Sequence, residues 1–467
     1  MEKKVEALPL WRMIVFSMGQ FGWSLTGFGV ANLLNYYYFP PILEGSPVFP
    51  VRIFQGAVIG ILTILGLATF FGRAIDAVSD PLIATWSDRI KLPFGRRRIF
   101  LLSSALPTAI LSVFVFIPPV PGESTINSVY IIILLIVFYI SITAYIIPYG
   151  ALISELGHTA KQRLKLATFT SVAWAVGFFV GNSVYALKDV FLGMGMTGSS
   201  AFVATLIIFA VIGFIAMMMP VLFIDERRFC HRGRSDENPV RAVRTALKNS
   251  NFKIVLWAQF AYFISTTILE IGIVYYVTLL MGLPESMAFT LMGAMFIFSF
   301  VLYPFVVKLT IKIGRKKMFI AAFFSQIFVF GLLPLSGIVP VPSAVWGWIT
   351  ILIQAVPCAI FGIVPTAVIA DIAKADGIET GNNKEAIFFG INSFVMKIGI
   401  SMANLIFPSL LLLGRSVDNN LGVRLAPVAA LLASVAGVIF IFKFNETKLN
   451  TILEVELEEE MELNHKK

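Results

Sequence analysis

Two aspartates one helical turn apart, Asp76 and Asp80, are the residues with the clearest chemical potential in this sequence. They lie in the stretch Gly72-Arg73-Ala74-Ile75-Asp76-Ala77-Val78-Ser79-Asp80-Pro81. At a spacing of four, both carboxylates project from one face of a helix, where they repel each other. A monovalent cation between them, or a shared proton, would relieve the repulsion, and such oxygen ligands suit Na⁺ or Li⁺. The alternative is an internal Arg73–Asp76 ion pair with Asp80 at a helix end before Pro81.

The composition places these aspartates in an apolar setting. Hydrophobic residues make up 58% of the 467 and charged residues only 13%, whereas roughly a quarter of a soluble chain is charged. Apolar runs of about twenty residues or more recur, and each is long enough to cross a bilayer as a helix. Alternating segments of about ten residues, typical of transmembrane β-strands, are not seen. We therefore predict an all-α membrane protein.

About twelve such runs are predicted as transmembrane helices. Their spans are 11–38, 53–87, 98–117, 127–155, 163–187, 199–224, 253–281, 286–312, 317–337, 344–373, 385–412 and 423–443. Basic residues concentrate in alternate loops, which predicts cytoplasmic location of these loops and of both termini. The net charge of +9 is explained by this asymmetry, so no nucleic-acid partner is predicted.

The chain divides into two similar halves. We predict a six-helix bundle over 1–224, a cytoplasmic linker over 225–252, a second six-helix bundle over 253–443 and a cytoplasmic acidic tail over 444–467. Equivalent loops carry Gly95-Arg96-Arg97-Arg98 and Gly314-Arg315-Lys316-Lys317. Two parallel six-helix repeats are the architecture of the major facilitator fold.

Other ionisable residues inside predicted spans are few, and a charge at the bilayer centre costs at least about 2.5–3.5 kcal/mol. Lys397 could neutralise the aspartate pair when the cation leaves. Glu270 could bind substrate, bind a proton or serve as a structural acid, and these three roles stay open. Glu155, Asp371 and Asp376 fall at cytoplasmic helix ends, where salt bridges to the basic loops compete with plain solvation. Cys230 and Cys358 offer neither a disulfide framework nor metal-ligand spacing.

Enzyme motifs are not found in the sequence. There is no Walker loop, zincin helix or serine–histidine arrangement, and the three histidines lie in predicted loops or the tail. We therefore predict a protein that is not an enzyme, has no cofactor other than a coupling ion and uses an ion gradient.

Several segments together resemble the glycoside–pentoside–hexuronide:cation symporters, the melibiose-permease-like branch of the major facilitator superfamily. The resemblance covers nearly the whole chain. The segments are Gly72 to Pro81 with the loop to Arg98, Ile147-Pro148-Tyr149-Gly150-Ala151-Leu152-Ile153-Ser154-Glu155, Ala370-Asp371-Ile372, and the stretch ending in Lys397-Ile398-Gly399.

The resemblance implies an intact coupling machinery. The family's cation carboxylates fall on Asp76 and Asp80, its helix-4 threonine on Thr143 and its helix-11 lysine on Lys397, with Arg73 as a further coupling residue. Asn392 and Ser393 correspond to the polar pair before the lysine and are predicted to contact substrate. Predicted gating residues at the helix ends and basic loops are Asp88, Arg89, Arg96, Glu155, Arg315 and Asp371.

The family's sugar ligands are largely absent. Ser24 stands at the position of the family's helix-1 sugar-binding carboxylate, and Trp23 at that of the lysine before it. Ile146 replaces the sugar-binding aspartate and Thr168 the arginine. Gly150 and Gly362 each replace a tryptophan. With Tyr149 and Glu270, the substrate-site prediction covers Ser24, Ile146, Tyr149, Gly150, Thr168, Glu270, Asn392 and Ser393. The expected pocket is wider and more apolar than a sugar site.

These features predict a secondary active symporter, a monomer in the plasma or inner membrane, that moves a small organic solute with Na⁺ or H⁺. A sugar or glycoside is the favoured solute. A lysophospholipid or another amphiphile is the alternative, because a sodium-dependent lysophospholipid symporter is similar to the same family. A solute sensor that does not transport is the third possibility.

Overall fold

The protein is almost entirely helical in the computed structural model, which describes residues 8–90, 95–157, 159–229, 246–380 and 385–452. The helices of the first half are α1 (Leu10–Phe28), α2 (Leu34–Tyr38), α3 (Ile64–Arg89), α4 (Arg98–Phe114), α5 (Thr125–Leu156), α6 (Ala160–Asn182), α7 (Val184–Gly193), α8 (Gly198–Phe223) and α9 (Glu226–Phe229). Those of the second half are α10 (Ser250–Tyr275), α11 (Ser286–Ile313), α12 (Arg315–Leu332), α13 (Ser343–Thr380), α14 (Glu385–Leu411) and α15 (Leu421–Phe442).

Length and hydropathy show which helices can cross a bilayer. Among the described residues, nine helical stretches are long and apolar enough, and α4 is a shorter apolar helix. The prediction of an all-helical, multi-pass membrane protein is thereby confirmed. The number twelve and the cytoplasmic position of both termini stay predictions.

The prediction was wrong where the second span was placed at 53–87. Residues 57–63 instead form a hairpin of β3 (Ala57–Ile59) and β4 (Leu62–Thr63), which turns at Gly60 with a φ of +59°. The apolar pattern of these residues resembles the start of a helix. The turn requires a positive φ at residue 60, which glycine adopts readily because it has no side chain. Helix α3 begins only at Ile64, where the Thr63 hydroxyl caps it by accepting from Gly66 N at 3.1 Å. A shorter hairpin joins β1 (Ile42–Leu43) to β2 (Ser46–Pro47).

By its internal contacts the chain forms two compact units. Unit 1 comprises Met1–Arg234, Pro284–Phe289 and Leu411–Asn419, and unit 2 comprises Ser235–Leu283, Thr290–Leu410 and Asn420–Lys467. The predicted domain limits at 224, 253 and 443 stay predictions, and the tail from 453 onward lies outside the described residues.

Within each unit the helices pair in the same order. In unit 1, α8 packs on α1 and α4, and α4 packs on α5; in unit 2, α15 packs on α10 and α12, and α12 packs on α13. The first long helix of each half also contains a π-helical turn, at Gly29–Leu33 and Tyr276–Leu280. The repeat inferred from the loops therefore extends to helix packing.

Unit 1 contains a close helix crossing at Gly22. A Cβ there would lie 2.5 Å from the Gly213 carbonyl oxygen and 2.7 Å from Met217 N, both backbone atoms of α8. Small residues at such crossings let two helix backbones approach each other in a membrane.

Because these neighbours are backbone atoms, Gly22→Ala must displace α1 from α8. We expect it to lower the free energy of unfolding by about 1–3 kcal/mol, measured as a lower midpoint of thermal unfolding in detergent. Gly193→Ala, at an open position, is the matched control. Equal midpoints for the two variants would contradict the close crossing.

Candidate functional site

A buried carboxylate joins α3 to α5 in unit 1. Asp76 is only 4% exposed and Thr143 of α5 only 1%, and the Thr143 hydroxyl donates a hydrogen bond to Asp76 Oδ1. The structure thus brings together two of the three residues predicted to bind a cation. The other carboxylate oxygen, Oδ2, lies 3.9 Å from Arg73 Nη1 on the same helix.

The Arg73 guanidinium also contacts an aromatic ring of α5. Its central carbon lies 4.8 Å from the ring centroid of Tyr139, within the range of cation–π attraction. Tyr139 is 3% exposed. Sequence reasoning missed this residue. A tyrosine in an apolar helix gives no signal that distinguishes a contact with a charged group from ordinary packing.

Helix α3 continues through Pro81 to Arg89, so Asp80 does not stand at a helix end, as the alternative interpretation required. Asp80 is half-buried. Because proline has no N–H, Pro81 cannot donate to the carbonyl of Ala77, which lies between the two aspartates in sequence.

The donor set consists of hard oxygen atoms. Carboxylate and hydroxyl oxygens are groups suited to Na⁺, Li⁺ or a proton. No group of three or more His, Cys, Asp or Glu side chains that could hold a metal ion occurs within the described ranges. The chemistry fits a weakly held monovalent cation.

The coupling and substrate residues predicted in unit 2 lie on α10 and α14. Lys397 and Ser393 are half-buried on α14, and Asn392 accepts a hydrogen bond from Gln259 Nε2 at 2.5 Å. Glu270 is half-buried on α10. The roles assigned to these residues stay predictions.

The positions that correspond to sugar ligands in unit 1 have varied surroundings. The Ser24 hydroxyl donates to the Trp174 carbonyl at 2.9 Å, and the Tyr149 hydroxyl donates to the Phe16 carbonyl at 2.7 Å. Both residues are buried, so their hydroxyls serve helix packing. Ile146 is half-buried, and Gly150 and Thr168 are exposed.

A charged cluster connects α4, α5 and α9 in unit 1. Glu155 forms ion pairs with Arg96 and with Arg97 Nη2, the latter at 2.9 Å. The Glu226 carboxylate accepts from the backbone N–H groups of Arg96, Arg97 and Arg98 at 3.0–3.2 Å. This carboxylate satisfies free N–H groups at a helix N-terminus.

Glu155 lies just beyond the apolar stretch of α5, which ends at Ile153. Burial raises the pKa of its carboxyl, and the neighbouring Arg97 and Arg96 oppose this shift. Glu155 is therefore paired rather than simply solvated. The predicted gating residues Asp88 and Arg89 have side chains outside the described part of the structure.

Unit 2 repeats the arrangement. Arg315 Nη2 lies 2.5 Å from Asp371 Oδ2, and the Glu446 carboxylate accepts from the backbone N–H groups of Arg315 and Lys316 at 2.6 and 3.1 Å. Gly95 and Gly314 have φ values of +106° and +92°. Sequence reasoning missed Glu226 and Glu446, although each follows the last long helix of its half.

A separate buried ion pair in unit 1 also escaped prediction. Lys188 of α7 pairs with Glu285, a residue of the segment Pro284–Phe289. The Lys188 ammonium donates to the Tyr36 hydroxyl at 2.7 Å, and Tyr36 is fully buried. Lys188 and Glu285 are far apart in sequence, so no local pattern connects them.

Comparison with known proteins agrees with this fold and charge pattern. Residues 15–443 match the family model described as MFS/sugar transport protein, and the chain belongs to this family of membrane transport proteins. It therefore does not belong to an enzyme class.

Individual relatives are distant. The chain is 24% identical over 261 residues to the inner membrane symporter YicJ of Escherichia coli, covering 56% of this chain and 55% of YicJ. It is 24% identical over 238 residues to the putative glycoside/cation symporter YagG of Escherichia coli, covering 50% of each protein. The chain thus spans about half the length of these relatives. A D-xylose-proton symporter structure superposes with a TM-score of 0.66 at 14% identity, covering 94% of this chain and 98% of that one, which shows the fold alone.

The repeated helix cap can be tested by Glu226→Ala. Because three backbone N–H groups lose their acceptor, we expect unfolding to become easier by about 1–3 kcal/mol, measured by thermal unfolding. Glu446→Ala should have a similar effect in unit 2, and Glu123→Ala, at an exposed loop position, should have none. A stable Glu226→Ala variant would mean that water replaces the cap.

Proposed function

We propose that the protein is a secondary active symporter that couples the movement of an organic solute to Na⁺ or H⁺. The observation that carries the proposal is the buried Asp76 carboxylate, which accepts from Thr143 at one oxygen. A buried carboxylate within a predicted membrane span is costly. A bound cation would offset that cost.

The seat of the coupling ion is formed by Asp76, Asp80 and Thr143, with Arg73 as the counter-charge on the same helix. One monovalent cation that moves through about 100 mV releases about 2.3 kcal/mol, which supports roughly fifty-fold accumulation of a neutral solute. No other energy source is required for uphill transport. The ion pairs of Arg96 with Glu155 and of Arg315 with Asp371 are assigned as gates.

A sugar or glycoside is the proposed solute. The family's description as sugar transport proteins and the glycoside/cation name of YagG support this choice. Ser393, Asn392 and Glu270 would then supply polar contacts from unit 2. The protein acts as a monomer in the plasma or inner membrane.

One observation favours an amphiphile, such as a lysophospholipid, as a second candidate. The hydroxyls of Ser24 and Tyr149 both bond to backbone carbonyls, and Ile146 stands where the resemblance expects a sugar-binding aspartate. The replacement of a charged sugar ligand by an apolar side chain favours an acyl chain over a solute rich in hydroxyl groups.

Cation dependence of uptake tests the coupling. In proteoliposomes with an imposed Na⁺ or H⁺ gradient, Asp76→Asn should abolish gradient-driven accumulation, because the amide carries no charge to hold the cation. Glu123→Gln, at an exposed position, is the control and should accumulate solute normally. Unchanged uptake by Asp76→Asn would place the coupling ion elsewhere.

Substrate class is tested by ligand-induced thermal stabilisation. We expect glycosides to raise the unfolding midpoint, and to do so more at high Na⁺ or low pH than without the coupling ion. Stabilisation by lysophospholipids alone would replace the sugar assignment by the amphiphile. Thermal stabilisation by a ligand that does not change with Na⁺ concentration or with pH would contradict the proposed cation coupling.

A further inference from the structure

We propose that the β3–β4 hairpin of unit 1 is an interfacial anchor, which inserts its apolar side chains into the lipid headgroup region beside the start of α3. Its partner is the bilayer surface itself. The inference concerns how unit 1 is seated in the membrane, and it depends neither on the proposed solute nor on the proposed coupling ion.

The first observation is the exposure of apolar side chains around the hairpin tip. Ile59 and Ile61, on either side of the turn at Gly60, are 62% and 71% exposed, and Phe54 and Val58 are also exposed. A Cβ at Gly60 would have no neighbour within 4 Å among the described residues, so the tip projects away from them. Exposed apolar patches are rare on soluble proteins and mark contact sites for membranes or other proteins.

The second observation is the absence of charge around this tip. From residue 53 to residue 72 the sequence contains no Asp, Glu, Lys, Arg or His. Removing a charged side chain from water is costly, and this stretch avoids that cost. The composition therefore favours a lipid surface over a polar protein partner.

The third observation is the level at which the hairpin is held. The carbonyl of Arg52 accepts from Asn127 Nδ2 at 2.9 Å and from Ser124 N at 3.3 Å, which fixes the chain before the hairpin to the start of α5. Helix α3 follows directly and has 26 residues, about 39 Å at 1.5 Å per residue. Because the hydrocarbon core is only about 30 Å thick, the first turn of α3 can reach its boundary.

The backbone of the hairpin limits how deeply it can insert. In the described part of the chain, β3 is paired with β4 alone, so each strand has an open edge of N–H and C=O groups. Open edges do not occur in hydrocarbon, where water is absent. The apolar side chains disfavour water and the open edges disfavour hydrocarbon, and the headgroup region satisfies both.

The hairpin also adjoins a helix face suited to lipid. Phe54 and Val58 line a groove together with Thr125 and Ser128 of α5, a helix long and apolar enough to cross a bilayer. The exposed apolar residues of α5 recur at helical spacing and include Ile126, Val129, Ile133 and Val137. The apolar surface of the hairpin is therefore a neighbour of a face that lipid would cover.

The test measures the depth of a nitroxide spin label in vesicles of phosphatidylethanolamine and phosphatidylglycerol. The label is attached at Ile61→Cys in full-length protein whose native thiols are removed by Cys230→Ser and Cys358→Ser. Collision rates are measured with O₂, which concentrates in lipid, and with a nickel chelate, which stays in water. Ile133→Cys, on the exposed face of α5, is the lipid reference, and Glu123→Cys, in an exposed loop, is the water reference.

We expect the ratio of O₂ to nickel collisions at Ile61 to be at least about threefold higher than at Glu123 and lower than at Ile133, because interfacial segments insert only about 5–10 Å. Ile59→Cys, on the other side of the turn, should give a ratio in the same range and provides a second label position if the first variant does not fold. An excess of unlabelled protein in the vesicles should leave both ratios unchanged.

Four results would overturn the inference. A ratio at Ile61 equal to that at Glu123 would place the hairpin in water, and one equal to that at Ile133 would place it in hydrocarbon. Few collisions with both probes would mean that protein covers the tip. A ratio that changes on dilution with unlabelled protein would identify a second copy of the chain as the partner.

Discussion

The interaction on which the proposed mechanism depends is the hydrogen bond between Thr143 and Asp76. It ties α3 to α5 at a point where the chain carries a charge in an otherwise apolar region. An ionised carboxylate away from water needs hydrogen bonds and a counter-charge. Thr143 supplies the hydroxyl, and Arg73 supplies a positive charge 3.9 Å from the other carboxylate oxygen. The same constraint explains why buried Lys188 is paired with Glu285 and with the Tyr36 hydroxyl.

A second constraint is the helix N-terminus, whose first N–H groups lack helical partners. In both units, a glutamate that follows the last long helix accepts hydrogen bonds from these N–H groups. Glu226 caps α4 and Glu446 caps α12, and each capped helix carries an arginine paired with an acid on the next long helix. Three helices in each unit are thus joined by one charged cluster. The basic loops, which the sequence predicts to lie on the cytoplasmic side, thus also join helices within each unit.

The sequence predicted most of the helical layout, because long apolar runs have few other solutions in a bilayer. It failed at residues 57–63, where Val58, Ile59 and Ile61 belong to an apolar hairpin that was included in the long apolar run of the second span. At the site, the spacing of Asp76 and Asp80 was a local signal. Thr143 came only from family resemblance, since a single threonine in an apolar helix is not informative. Tyr139, Glu226 and Glu446 depend on contacts between distant segments, which no pattern in one segment encodes.

The formal charges of the residues at the proposed cation site also indicate how many cations it would hold. With both carboxylates ionised, Asp76, Asp80 and Arg73 carry two negative charges and one positive charge. The formal sum is −1, which one monovalent cation neutralises. A second cation would leave a net positive charge in a low-dielectric region, which is unfavourable. The charge balance of the proposed site therefore depends on Arg73, a residue that need not touch the ion.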